Sequence, residues 1–408
     1  MIQPLEGVRV IDLSRILAGP WATQTLADLG ADVIKVERPG RGDDTRTWGP
    51  PYAGGDGEPG EATYFLGINR GKRSIEIDLK HPDGAGLVRE MARSADVLVE
   101  NFKFGDLERR GLGYAALKAD NPGLVYCSIT GFGQSGPRAK KAGYDLIVQG
   151  MAGLMSITGH ADGEPGGGPL RVGVAIVDVL TGLYGAIGIL AALRERAETG
   201  QGRHIDLALF DVSAACLANQ ATSYLVGGAV PGRMGNSHPS IVPYQTFEVE
   251  DGHLVIAVGN DRQFVRFCDA IGLAELAADG RFTTNALRVA NRNALIALIA
   301  PVLAGRTRAQ WIETLEPVEV PVGPINGLDE VFGDPQAVAR ELVRELPHTA
   351  LGRVASVAGP IRLDGRSATA DRGPPVLGEH TDAVLGDVLG LSAEQIGELR
   401  RAGIVGGE

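Results

Sequence analysis

Asp178 is the residue whose surroundings most strongly suggest chemistry. It lies inside the apolar segment RVGVAIVDVLTGLYGAIGILAAL. Carboxylates are rarely buried without a partner, because taking an ionised group out of water is costly. Such an aspartate could cap the helix that the following residues predict. It could also be a nucleophile that backbone N–H groups at the helix start hold in its anionic form. The two roles are compatible, and the pattern leaves both open.

A second polar pair and four basic clusters accompany Asp178. Tyr144 and Asp145 stand at the head of a helical run in RAKKAGYDLIVQG, where capping could explain the aspartate and packing the tyrosine. One basic cluster alone is typical of a solvated surface, but four clusters near strand ends favour a site for a phosphorylated ligand. The clusters are Lys35, Arg38 and Arg41; Arg70, Lys72 and Arg73; Arg109 and Arg110; and Arg138, Lys140 and Lys141.

Other familiar motifs fail on spacing or context. LGINRGKRS resembles a P-loop, but only three residues separate its glycines. GLYGAIG is GxxGxxG rather than GxGxxG and lies in a predicted helix, where its glycines favour close packing. HExxH, GxSxG and paired Cys/His clusters are absent, and His160, His204 and His238 have no ligand spacing. No metal site is predicted, which leaves carboxylate chemistry or binding.

The elements that must position these residues alternate between short β-branched runs and amphipathic runs, as in βαβ units with a parallel sheet. The pattern predicts a Rossmann-like, doubly wound α/β domain, with Asp178 between a strand and a helix. Predicted strands are 8–13, 32–37, 74–79, 97–100, 124–129, 174–177 and 205–209. Predicted helices are 20–29, 82–93 and 185–196.

After residue 200 the alternation of strand and helix patterns changes, and a second domain is expected. Two β-rich runs flank the turn Asp251-Gly252, which is a strong hairpin signal, and helices are predicted at 262–271, 292–303 and 308–315. SAEQ at Ser392 has the form of a capping box. The predicted organisation is a large domain over 1–200, a linker over 201–228, a small α+β domain over 229–325, a linker over 326–350, and a return to the large domain over 351–408.

Composition limits the partners and the compartment. A chain of 408 residues is too long for one ordinary core, and its formal charge of −11 argues against nucleic acid or an anionic membrane as the main partner. The three cysteines form neither a disulfide framework nor a metal motif, so a cytoplasmic setting is expected. The run 172–193 is long enough to cross a bilayer, but its glycines and Asp178 favour a buried core.

At this point a resemblance adds to the pattern. The chain is similar along nearly its whole length to the class III CoA-transferases, the family of formyl-CoA and carnitine CoA-transferases. The segments that carry the likeness include PLEGVRVIDLSRILAGPWATQTLADLGADVIKVERP, DVLVENFKFGDLERRGLGY, AGYDLIVQGMAGLM and RVGVAIVDVLTGLYGAIGILAAL. SIVPYQTFEVEDGHLVIAVGN and VPVGPINGLDEVFGDPQ are most similar to the succinate–hydroxymethylglutarate branch of the family.

The resemblance implies that Asp178 attacks the thioester of an acyl-CoA donor, and that the reaction proceeds through aspartyl anhydride and aspartyl-CoA thioester intermediates. CoA is then a substrate, and no permanently bound cofactor is expected. The family also implies an interlocked, ring-shaped homodimer. The positions that match its CoA contacts are Ile16, Ala18, Arg38, Lys72, Arg73, Asn101, Phe102 and Arg109.

Residues near the substrate are also implied. Tyr144 and Asp145 match a tyrosine–acid pair beside the active site. Racemases of the superfamily have histidine at the tyrosine position, so the tyrosine favours transfer, because tyrosine is a poor base near neutral pH. A 2-methylacyl-CoA racemase is the alternative function. Leu17 replaces a glutamine that contacts oxalate in formyl-CoA transferases, and Gly259-Asn260 is the substitute for their glycine-rich loop. The expected reaction moves CoA from a donor such as succinyl-CoA to a C4–C6 dicarboxylic acid.

Overall fold

The computed structural model describes residues 3–54 and 60–407, which form two compact units. The first unit consists of Met1–Leu154, Val172–Thr222 and Pro335–Glu408, and the second of Met155–Arg171 and Ser223–Asp334. The strands are β1 (Arg9–Asp12), β2 (Asp32–Glu37), β3 (Tyr52–Ala53), β4 (Glu61–Ala62), β5 (Lys72–Glu76), β6 (Val97–Glu100), β7 (Val125–Thr130), β8 (His204–Ala208), β9 (Tyr244–Val249), β10 (Gly252–Ala257), β11 (Val322–Pro324), β12 (Val343–His348), β13 (Gly352–Val357), β14 (Arg362–Leu363) and β15 (Arg366–Ser367).

The helices alternate with these strands through the first unit. They are α1 (Ala18–Asp28), α2 (Thr63–Leu66), α3 (Pro82–Arg93), α4 (Tyr114–Asp120), α5 (Asp145–Met151), α6 (Leu154–Ile157), α7 (Ile176–Thr199), α8 (Leu209–Ala215), α9 (Ala218–Gly227), α10 (Asp261–Ala270), α11 (Asn285–Ala290), α12 (Arg292–Leu303), α13 (Arg308–Leu315), α14 (Leu328–Gly333), α15 (Pro335–Ala339), α16 (Thr381–Leu389) and α17 (Ala393–Arg401). Short 3-10 helices cover Asp44–Thr47, Glu108–Arg110, Ala274–Ala277 and Glu316–Val318.

A six-stranded parallel sheet organises the first unit. The order of the strands across the sheet is β5-β2-β1-β6-β7-β8. If the six strands are numbered by their position along the chain, this order is 3-2-1-4-5-6, as in Rossmann-like folds. Successive side chains of a strand point to opposite faces of the sheet, and the two faces pack into separate cores. Ile11 and Leu98 belong to one core, and Val10 and Val97 to the other. The prediction of an α/β protein with a parallel sheet is therefore confirmed. Successive strands are added toward one edge of the sheet up to β5 and toward the other edge from β6 onward, so the strand order reverses between β1 and β6, where such sheets open a crevice.

The close contact between α7 and α1 depends on glycine. A Cβ atom on Gly182 would lie 2.6 Å from the carbonyl oxygen of Ala18, whereas one on Gly185 would lie 3.4 Å from Cβ of Ala22. The helix is long and apolar enough to span a bilayer by length and composition, but Val177, Gly182 and other small residues on it are buried inside the first unit. The glycines of GLYGAIG thus serve helix packing, as the spacing indicates.

Three local expectations are corrected by the structure. The predicted strand over 174–177 does not form, because α7 begins at Ile176 and continues to Thr199. The segment 201–228 is not a linker, because the alternation in HIDLALF pairs β8 with β7 as the sixth strand, followed by α8 and α9. The segment 326–350 likewise contains α14, α15 and β12.

The second unit is a three-stranded antiparallel sheet covered by helices. The predicted hairpin forms with Gly252 opposite Val249, and β11 joins β10 at the other edge. Its core includes Phe264, Phe267 and Trp311, which come from α10 and α13.

Candidate active site

A cleft opens at the carboxyl edge of the large sheet, where β1 and β6 lie side by side. The loops that follow β1, β6 and β7 line it, together with the segment before α5 and the first turn of α7. Parallel sheets bind ligands at this kind of position because neighbouring loops separate there. The lining residues from the sequence prediction are Ile16, Leu17, Ala18, Asn101, Phe102, Tyr144, Asp145 and Asp178.

Asp178 is the third residue of α7 and does not cap the helix. The N-cap residue is Ala175, which has no side-chain capping bond, and the carboxylate of Asp178 lines the cleft instead. Burial raises the pKa of Asp178 to about 7, and the nearby charge of Asp145 adds to the effect. A carboxylate with a raised pKa in a cleft is a candidate for chemistry rather than for structure.

The helix cap comes from Asp145 on a different helix. One oxygen of its carboxylate, Oδ2, accepts hydrogen bonds from the backbone N–H groups of Val177 at 2.8 Å and Asp178 at 3.2 Å. These are two of the N–H groups that a helix start leaves without an internal partner. The cap explains why α7 can begin inside a β-branched run, and no local pattern shows it because the partners lie more than thirty positions apart.

Buried ion pairs fix the loop between β1 and α1. Ile16 has a φ of 72°, a left-handed conformation that is unusual for a β-branched residue. Its N–H donates to both carboxylate oxygens of Asp43 at 3.2 Å, and Asp43 in turn pairs with the fully buried Lys35 at 2.9 Å. Burial opposes ionisation of Asp43, but the charge of Lys35 and these backbone bonds lower its pKa.

Asn101 and Phe102 form the opposite wall of the cleft. The side chain of Asn101 accepts from the N–H of Arg15 at 2.9 Å and donates to its carbonyl at 2.7 Å, so it binds the backbone of the facing loop. The guanidinium of Arg15 lies 5.5 Å from the ring centroid of Phe102 and bonds Asp44 at 2.9 Å. Sequence reasoning did not select Arg15, although it stands directly before the predicted contact Ile16.

A second cleft adjoins the first and shares Arg15 and Phe102 with it. Arg38 lines this second cleft and bonds Asp44 at 2.6 Å. Its other basic lining residues are Arg41, Lys80 and Arg110, together with Lys35, which is fully buried against Asp43, whereas Lys103, Lys140 and Lys141 line the first cleft. Acidic residues line the clefts as well: Asp44, Asp145 and Asp178 in the first, and Glu37, Asp43, Asp78 and Asp106 in the second. The clefts thus offer individual cations to a ligand rather than a strongly positive net charge.

Three of the predicted CoA contacts lie elsewhere. Lys72 is fully buried and donates to Asp12 at 3.0 Å, and to Asn69 and the carbonyl of Pro20. The prediction of a CoA contact at Lys72 is therefore corrected, because an internal counter-ion without exposed surface cannot reach a ligand. Arg73 pairs with Asp32 at 2.5 Å, and neither it nor Arg109, which pairs with Asp106, lines either cleft.

Gly259 and Asn260 belong to the second unit. Asn260 caps α10 by accepting from the N–H of Gln263 at 2.9 Å, and the N–H of Gly259 donates to the Gln263 side chain at 2.8 Å. The local contacts thus give this pair a role in starting a helix.

Two tyrosines occur near the carboxylates. Tyr144 precedes α5, lines the first cleft and is 63% exposed. Tyr64 was not found from sequence; burial raises its pKa to about 12, with further contributions from the charges of Asp178 and Asp145. Among the residues that the structure describes, no three His, Cys, Asp or Glu side chains form a cluster that could hold a metal ion.

Comparisons with known proteins match nearly the whole chain. The profile described as CoA-transferase family III matches residues 5–381. Succinate–glutarate CoA-transferase of Agrobacterium fabrum is 49% identical over 386 residues, covering 94% of this chain and 96% of that protein. Human succinyl-CoA:glutarate CoA-transferase is 45% identical over 405 residues, covering 99% of this chain and 90% of that protein.

A solved structure agrees equally well. The crystal structure of a CAIB/BAIF family protein from Brucella suis has 49% identity and a TM-score of 0.83, covering 95% of this chain and all of that chain. The α/β fold with a cleft at its carboxyl edge is that of a ligand-binding enzyme, and the family match over nearly the whole chain shows which class: the chain belongs to CoA-transferase family III. It is an enzyme that transfers CoA between an acyl-CoA and a carboxylic acid. The family expected from the sequence motifs is confirmed.

Proposed function

We propose that this protein transfers CoA from succinyl-CoA to a C4–C6 dicarboxylic acid, with glutarate as the first acceptor to test, and that Asp178 is the nucleophile. The observation that carries the assignment of Asp178 is its carboxylate in the cleft at the β1–β6 crevice, with a pKa raised to about 7. The names of the two succinate–glutarate relatives support the choice of donor and acceptor.

Each step of the proposed chemistry breaks one acyl bond and forms another. The Asp178 carboxylate attacks the succinyl-CoA thioester and expels CoA thiolate, which forms an aspartyl–succinyl anhydride. The thiolate then attacks the aspartyl carbonyl, so succinate leaves and an aspartyl-CoA thioester remains. The acceptor carboxylate attacks this thioester and again releases thiolate, which finally attacks the acceptor carbonyl and regenerates Asp178. A carboxylate suits this cycle because an ester intermediate would return its acyl group too slowly.

CoA would lie across both clefts. Ile16, Ala18, Asn101 and Phe102 line the first cleft, and Arg38, whose side chain is partly exposed, lines the second. The basic residues of the clefts suit the phosphates of CoA, whose binding depends on local rather than net charge. A released thiolate held at this site remains at a high effective concentration, which favours transfer over hydrolysis.

The test follows CoA esters by mass spectrometry after succinyl-CoA and glutarate are mixed with the enzyme. We expect glutaryl-CoA and succinate, and an aspartyl hydroxamate at Asp178 when hydroxylamine is added. Asp178→Ala should abolish both products, and full transfer by that variant would refute the proposed mechanism. Deuterium uptake at the α-carbon of a 2-methylacyl-CoA, without any acceptor acid, would instead support the racemase alternative.

We also propose that the protein acts as an interlocked homodimer in the cytoplasm. Exposed apolar side chains support an interface: Tyr184 and Ile187 on α7 are 45% and 60% exposed, and Leu225 and Val226 on α9 are 78% and 83% exposed. Light scattering should give twice the mass of one chain. Subunits labelled with two different tags should fail to exchange until the protein is unfolded; rapid exchange in the native state would contradict interlocking.

A further inference from the structure

Gln149 is fully buried, and both the nitrogen and the oxygen of its side-chain amide form hydrogen bonds. Its Nε2 donates to Oδ1 of Asp145 at 2.6 Å, and its Oε1 accepts from the N–H of Val172 at 3.0 Å. A buried amide with specific partners is costly to disturb, because any group that loses its bond stays out of water. Gln149 was not selected from the sequence, and it lies one turn after Asp145 on α5.

The contacts of Asp145 connect this amide to the reacting group. While Oδ1 of Asp145 accepts from Gln149, Oδ2 accepts from the N–H groups of Val177 and Asp178. One side-chain pair on α5 therefore holds the segment before Asp178 at two points, Val172 and the start of α7. Each carboxylate oxygen of Asp145 therefore accepts at least one hydrogen bond, which fixes the orientation of the carboxylate.

We propose that Gln149 is a positioning residue for transfer: it orients the Asp145 carboxylate on the first turn of α7, and so fixes both the place of Asp178 and the negative charge beside it. This inference rests on the proposed function, in which Asp178 is the nucleophile. Gln149 itself does not line the cleft.

The charge beside Asp178 matters for its reactivity. Burial is the larger cause of the raised pKa of Asp178, and the charge of Asp145 is the second. A carboxylate that binds its proton more tightly is also the stronger nucleophile once it is ionised. The other titratable or charged groups that line the cleft with Asp178 or interact with it are Tyr64, Tyr144, Arg15, Asp44, Lys103, Lys140 and Lys141.

Gln149→Glu provides a test with a distinctive pH dependence. A protonated carboxyl group at this position can donate to Asp145 and still accept from the N–H of Val172, as the amide does. When it ionises, it places a second negative charge within hydrogen-bonding distance of Asp145, and repulsion breaks the arrangement. We expect the ratio of variant to wild-type kcat/KM to fall by about tenfold or more between about pH 5.5 and pH 8.

A matched control separates this effect from the general cost of a buried acid. Gln24 is also a buried amide, which accepts from the N–H of Arg70 at 3.0 Å and donates to the carbonyl of Gly67 at 3.4 Å. Gln24→Glu should lower stability as pH rises but leave the kcat/KM of the folded protein in a constant ratio to wild type. Circular dichroism at each pH identifies the folded fraction of both variants.

A second variant keeps the proposal testable if Gln149→Glu does not fold. Gln149→Met retains the side-chain length but removes the donor to Asp145, so kcat should fall by about tenfold or more, with little change in KM for succinyl-CoA and a shifted midpoint of the pH profile. An unchanged kcat and midpoint in Gln149→Met, or a flat ratio in Gln149→Glu, would overturn the proposal. Either result beside an inactive Asp178→Ala variant would leave the proposed function standing, whereas an active Asp178→Ala variant would refute that function first.

Discussion

The contact between α7 and α1 gives a quantitative prediction about two glycines on one helix. In Gly182→Ala, the new Cβ atom would lie 2.6 Å from the Ala18 carbonyl oxygen and 3.0 Å from Cβ of Trp21. The nearest atom is backbone and cannot rotate away, so the helices must separate by several tenths of an ångström. In Gly185→Ala, the nearest atom is Cβ of Ala22 at 3.4 Å, which is an ordinary contact.

The two variants should therefore differ in the sign of their effect on stability. Alanine in place of glycine in a helix interior contributes about 1 kcal/mol by propensity. Overpacking at Gly182 costs about 1–3 kcal/mol, so Gly182→Ala should be neutral to destabilising by about 2 kcal/mol. Gly185→Ala should be more stable than wild type by up to about 1 kcal/mol.

Activity should separate the variants further. Gly182 is four residues after Asp178, on the same side of α7, and the carbonyl it would displace belongs to Ala18, which lines the cleft. Displacement of the nucleophile relative to this loop should lower kcat/KM by about tenfold or more in Gly182→Ala. Gly185→Ala should stay within about twofold of wild type, because its contact requires no movement.

Urea unfolding and glutaryl-CoA formation measure the two effects. Circular dichroism follows the unfolding, and CoA esters are followed by mass spectrometry. Gly182→Ala with wild-type stability and activity, or Gly185→Ala with the larger loss, would refute the inference that the glycine contact positions Asp178.

Three further variants test the charges of the site. Asp178→Asn should abolish transfer yet stabilise the fold. Folding raises the pKa of Asp178 from 3.8 to about 7, so between these values the folded chain binds a proton that the unfolded chain releases. The stability of the wild type therefore falls as the pH rises from about 4 to about 7. The variant should gain up to about 4 kcal/mol over wild type at pH 8 and little at pH 4, and an equal gain at both would contradict this pKa. Lys72→Met should lose about 3–5 kcal/mol of stability, because it leaves the buried charge of Asp12 without its partner. The KM of the folded variant for succinyl-CoA should be unchanged, whereas a raised KM would support the contact between Lys72 and CoA that the resemblance implies. Arg38→Ala should raise that KM by about tenfold while kcat changes little, whereas an unchanged KM would place the CoA phosphates elsewhere.

Many local elements were predicted well from local signals, although the strand predicted at 74–79 forms at Lys72–Glu76. The helices 82–93, 292–303 and 308–315 and the strands 32–37 and 97–100 have the predicted bounds, and Ser392 forms the predicted capping box. Periodicity, proline at a helix start and side-chain caps act within a few residues, so the sequence displays them directly. The prediction was wrong at 174–177, where a cap from a distant residue allows a helix to form in a β-branched run.

The basic residues show the same limit. Arg38 and Lys72 carry the same charge and each belongs to a basic cluster, but one lines a cleft and the other is an internal partner of Asp12. Local sequence gives a residue its charge, and only the packing of strands decides whether that charge faces solvent or another side chain.

By itself, the amino-acid sequence determined the parallel α/β architecture, the family and the selection of Asp178, because each follows from patterns and motifs along the chain. Only the tertiary structure decided that Asp145 caps α7, that Gln149 holds Asp145, and that Lys72 is buried. The physical reason is that hydrogen bonds and burial join residues across tens of positions, so their partners exist only after the sheet and its helices have assembled.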